Sequence, residues 1–82
     1  MTQITGAIVD SWVESSGRVV LQVAPRGQRG QLLIVEADCG LVGDEGWLAD
    51  LGENMCHGSP VSALGSVTDG GFIQATQIQL AR

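Results

Sequence analysis

Few residues in this chain are suited to reaction chemistry. His57 is the one histidine, and the thiols are Cys39 and Cys56. Histidine is the side-chain type whose ordinary pKa suits proton transfer near neutrality. A Cys39/His57 or Cys56/His57 pair would be the candidate nucleophile and base. No known nucleophile motif surrounds either pair. Zinc takes Cys and His ligands in tetrahedral geometry, and Asp38 or Asp44 would have to complete the set. The chain lacks both Cys-x-x-Cys and a paired-histidine motif. Neighbours such as Cys56 and His57 point to opposite sides of an extended backbone, so they do not converge on one ion. Gly40-Leu41-Val42-Gly43 lacks the Lys-Ser/Thr that completes a phosphate-cradling loop. The expectation is a non-enzyme with no catalytic residue, no metal and no cofactor.

Binding chemistry is better represented. Arg18, Arg26 and Arg29 fall within twelve residues and account for all but one of the four arginines; there is no lysine. Arginine bonds phosphate and offers a plane for stacking. Trp12 offers a larger one, and base stacking is worth about 1–3 kcal/mol. Trp12, Arg18, Arg26 and Arg29 are thus the candidate nucleic-acid-binding residues, with 26–30 as a clamp. The plain alternative is that the loop arginines are solvated and that Trp12 fills a core or an oligomer contact. Charge opposes the first reading. The net charge is −5, with nine acids, no tyrosine and one phenylalanine. An acidic surface disfavours polyanions, and affinity built on phosphate neutralisation fades with salt. The acids Glu36, Asp38, Asp44, Glu45, Asp50 and Glu53 gather around one segment. They form either a solvated helix face or a docking surface. Opposed charge between that segment and the arginine loop also favours self-association.

The elements that must position these residues are short. Eighty-two residues make one domain, 1–82. The hydrophobic share of 44% argues against disorder. Twelve glycines punctuate apolar runs, as in short strands and tight turns. Residues 4–14 carry apolar side chains on both alternating sets, which predicts a long strand, bulged near Gly6. Residues 18–24 alternate more cleanly and complete a hairpin. Residues 31–37 form a continuous apolar run, read as a buried strand. Residues 38–43 are a connection. Residues 44–51 are the one helix: Asp44 caps it, Trp47, Leu48 and Leu51 form its stripe, and Gly52 ends it. Residues 61–67 and 72–80 are strands joined by the turn Thr68-Asp69-Gly70-Gly71. The expected fold is all-β: a small five-stranded barrel in the order β-β-β-α-β-β, closed to avoid bare edges.

This order resembles the OB (oligonucleotide/oligosaccharide-binding) fold over nearly the whole chain. The stretch 58–67, Gly-Ser-Pro-Val-Ser-Ala-Leu-Gly-Ser-Val, is similar to a fourth OB strand. Gly71-Phe72-Ile73-Gln74-Ala75 and Ile78-Gln79-Leu80 are similar to a fifth. The resemblance implies binding through strands two and three and their loops, where the candidate arginines fall. Fold does not dictate function. Two functions stay open: a self-associating interaction or structural module with a protein partner, or a module for single-stranded DNA or RNA. No run approaches the roughly 18 apolar residues of a membrane span. Residues 1–5 lack a charged n-region, so the expected location is cytoplasmic with no membrane partner. The two thiols are expected to be free and buried, since spacing alone does not fix the Cα separation a disulfide needs.

Overall fold

The alternation of β-branched and polar residues becomes five strands, and the runs around Asp38 and Asp44 become two short helices. A computed structural model describes residues 1–28 and 30–81. In order these elements are β1 (Thr2–Val13), β2 (Arg18–Pro25), β3 (Leu33–Asp38), α1 (Cys39–Val42), α2 (Glu45–Gly52), β4 (Pro60–Val67) and β5 (Ile73–Leu80). The strands close a barrel in the order β1-β2-β3-β5-β4. Every neighbouring pair is antiparallel except β3 and β5, which are parallel over Val35↔Ile73 and Glu36↔Gln74. A closed five-strand barrel with its helices between β3 and β4 is consistent with an OB-like fold.

β1 serves both halves of the barrel. Thr2 to Ala7 pair with β4, and Gly6 to Val13 pair with β2. Gly6 belongs to both ladders, and a Cβ there would overlap the Ala24 carbonyl oxygen. The bulge expected near Gly6 lies further on. Ile8 faces Val23 and Asp10 faces Gln22, leaving Val9 as the extra residue. One extra residue inverts the inward/outward alternation. Ile4 and Ile8 therefore point inward before it, and Ser11 after it. This is why both alternating sets of β1 carry apolar side chains.

The inward positions of β2 and β3 fill the barrel with Val19, Leu21, Val23, Val35 and Ala37. Val61, Ala63, Ile73 and Ala75 complete it from β4 and β5. α2 plugs one end with Leu51, which is fully buried, while Trp47 and Leu48 pack against the core. Asp44 caps α2 by accepting from the Trp47 N–H at 3.0 Å. Gly52 is the last helical residue, and Glu53 takes the C-cap. The segment 38–43 is more than a connection: it holds α1. Asp38 caps it, accepting from the Gly40 N–H at 2.8 Å, and Gly43 ends it in the left-handed region at φ 71°.

Ser11 ties β1 to the end of α2. Its hydroxyl donates to the Leu51 carbonyl at 2.8 Å. Its N–H is shared between Asp10 Oδ1 at 2.9 Å and Asn54 Oδ1 at 3.1 Å. The sole buried polar side chain among the described residues is thereby satisfied. No helix among them is long and apolar enough to cross a membrane.

Candidate interaction face

Strand register decides which side chains share a face. Trp12 lies opposite Val20, Val20 opposite Glu36, Glu36 opposite Gln74, and Gln74 opposite Ser66. This row crosses all five strands on the outer surface. The bulge at Val9 is what turns Trp12 outward, where it is 38% exposed. Val20, flanked by Trp12 and Glu36, is only 4% exposed although it points away from the core. Trp12 is thus seated on the barrel wall rather than inside it.

Arg18 opens β2 one outward position from Val20. Its Nε donates to Glu36 Oε1 at 3.1 Å, a diagonal cross-strand pair with side chains 34% and 21% exposed. The pairing fixes the guanidinium along the wall and neutralises it. Arg26 follows the end of β2. Its N–H donates to the Thr5 carbonyl at 2.8 Å, and its side chain borders a shallow hollow formed with Gly6, Ala7, Ala24 and Pro60. Eight residues of strand separate Arg18 from Arg26, which is about 26 Å. The candidate binding residues are therefore spread along the β1–β2 hairpin; Trp12 and Arg18 are diagonal neighbours by register, and Arg26 stands at the far end. Arg29 lies outside the described residues.

The outward positions of β1 to β3 hold Asp10, Glu36 and Asp38 against the one arginine, Arg18. Register supplies this balance, and sequence alone missed it. Alternation shows which residues share a side of a strand, but not which residue faces which across the hairpin.

The remaining chemical candidates do not come together. His57 is exposed in the loop before β4, while its neighbour Cys56 is buried in the core. Cys39, expected to be buried, is half-buried at the start of α1, and neither cysteine is in a disulfide. Among the described residues no three His, Cys, Asp or Glu side chains cluster as metal ligands. Shallow hollows mark the described surface, and Arg26 lines the one it shares with Gly6, Ala7, Ala24 and Pro60. No known protein-family model matches the chain, and no curated protein matches it.

Proposed function

We propose that this chain is a non-enzymatic interaction module of OB-like build, cytoplasmic, that associates with protein, a second copy of itself first of all. One observation carries the reading. The face that an OB-type protein would offer to a nucleic acid bears three acids and one arginine here, and that arginine is bonded to Glu36. Phosphate would meet net negative charge on that face, and protein surfaces need not be basic to associate. Small barrels also gain stability from a partner chain. Sedimentation velocity over a wide range of concentrations tests the proposal. A concentration-dependent rise in mass is expected, and a strict monomer at the highest concentration removes self-association.

A second reading has its own support. Arg26 is exposed at the rim of a hollow, and Arg29 follows it closely in sequence. That pair would clamp single-stranded DNA or RNA. Anisotropy titration with labelled oligonucleotides tests it. Under this reading, Arg26→Ala with Arg29→Ala abolishes binding seen at low salt.

A further inference from the structure

The chain has five aspartates and one asparagine. These side chains can cyclise onto the main chain: the nitrogen of the next residue attacks the side-chain carbonyl carbon, and a five-membered imide forms. The attack is open where neither the side chain nor the next N–H is held by a hydrogen bond. The fold holds every one of the six but Asp69. Asp10 Oδ1 accepts from the Ser11 N–H, the very group that would attack it. The Asp38 and Asp44 carboxylates cap helices, accepting from the Gly40 and Trp47 N–H groups. Asp50 lies inside α2, where the helical ladder engages the N–H that follows. Asn54 Oδ1 accepts from the Ser11 N–H, and the Met55 N–H donates to the Asp50 carbonyl at 2.8 Å.

Asp69 sits in the hairpin loop between β4 and β5. The Thr68 N–H donates to the Phe72 carbonyl at 2.8 Å, and the Gly71 N–H to the Thr68 carbonyl at 3.0 Å. Asp69, Gly70 and Gly71 are thus a three-residue loop, a turn followed by a left-handed glycine at φ 83°. The Thr68 hydroxyl donates to the Phe72 carbonyl at 3.1 Å and is engaged there rather than at the Gly70 N–H. Among the described residues no donor meets the Asp69 carboxylate and no acceptor meets the Gly70 N–H, and both residues are exposed. Gly70 sets no Cβ beside the attacking nitrogen and is free to turn about its backbone. We infer that Asp69 is a site of spontaneous isoaspartate formation in the folded chain. The Gly70 nitrogen bonds to Asp69 Cγ, and the carboxyl hydroxyl leaves with the amide proton as one water. A second water opens the imide. Opening at Cγ restores aspartate. Opening at the main-chain carbonyl carbon leaves the chain running through Cγ, with the α-carboxylate as its side group. Composition is unchanged, and no oxidant or cofactor enters. The product adds one methylene to the main chain of a loop that the Thr68 and Phe72 bonds close over three residues, so it loosens the β4–β5 hairpin.

Prolonged incubation of the purified chain in warm, neutral buffer tests the inference, with a parallel sample in guanidinium chloride. A protease that cleaves before aspartate but not before isoaspartate, followed by mass spectrometry, reads each site. Methyl transfer from S-adenosylmethionine by an isoaspartate-directed methyltransferase counts the product. In the folded chain, cleavage before residue 69 is expected to be lost progressively, at a rate close to that in denaturant. Cleavage before Asp10, Asp38, Asp44 and Asp50 is expected to persist, and Asn54 to stay amidated until the chain is unfolded. Gly70→Ala should slow the loss about tenfold, because a Cβ restricts the rotation that the attack needs. Asp69→Glu keeps the charge and should abolish methyl transfer, because its longer side chain would have to close a larger ring. Circular dichroism confirms that both variants fold. Cleavage before residue 69 that persists in the folded chain overturns the inference. So does equal reaction at Asp10 or Asn54, since the hydrogen bonds would then protect nothing.

Discussion

Asn54 is the one described non-glycine residue in the left-handed region, at φ 58°. Its Oδ1 accepts from the Ser11 N–H, and its own N–H donates to the Leu51 carbonyl at 3.2 Å. The residue therefore reverses the chain after α2 and bonds it back to β1. Two effects can be separated by substitution. Asn54→Gly keeps the backbone conformation and loses the side-chain acceptor; Asp10 still accepts from Ser11, so the cost is about 0.5–1 kcal/mol. Asn54→Ala loses the acceptor and adds the left-handed penalty of about 1–2 kcal/mol. Chemical denaturation should rank stability as wild type, then Gly, then Ala. Equal loss in both variants would show that backbone strain contributes nothing there. None of this is legible in the sequence, because the partners are 43 residues apart. The cap at Asp44 is legible, because its partner Trp47 is three residues away.

Between elements, the same contrast of local and distant information holds. α2 can be read from the chain because a capping acid, an apolar stripe and a closing glycine fall within nine residues. α1 escapes notice because four residues are too few to show a period. The bulge at Val9 escapes because it is defined by what β2 places opposite, and the pairing of Arg18 with Glu36 escapes for the same reason. The strands themselves are legible from alternation and glycine punctuation. α2 makes few hydrogen bonds of its own, and a two-turn helix is held by packing. Leu51, fully buried at the barrel end, supplies that packing. Leu51→Ala should cost about 2–5 kcal/mol. Asp44→Ala, which removes only the cap, should cost about 1 kcal/mol. A domain of this length has about 4–12 kcal/mol in all. Thermal denaturation should show Leu51→Ala lowering the midpoint several times more than Asp44→Ala. Similar shifts would mean that the cap, not the plug, holds the helix.

Across the whole molecule, charge and closure follow different halves of the chain. β3 and β5 meet over only two residue pairs, yet that seam joins the charged sheet of β1 to β3 to the uncharged strands β4 and β5. A polyanion approaching the charged half meets acids at Asp10, Glu36 and Asp38, and an arginine already committed to Glu36. Of the candidate arginines named from the sequence, Arg26 and Arg29 are then left to contact phosphate, and counterion release sets a limit on what those two can do. The slope of log K against log salt for a single strand is about −0.7 per phosphate neutralised, so two contacts give about −1.4. Any binding of single-stranded DNA by the wild type should show a slope no steeper than that. Glu36→Gln removes the partner of Arg18 and one acid from the face. The pair is partly exposed and worth about 0–1 kcal/mol, so the fold tolerates the change. Affinity for the oligonucleotide should rise in this variant, with the slope steepening toward about −2.1 as a third arginine becomes available. A wild-type slope already as steep as that of the variant would mean that Arg18 exchanges Glu36 for phosphate. The nucleic-acid reading would then take precedence over the interaction module.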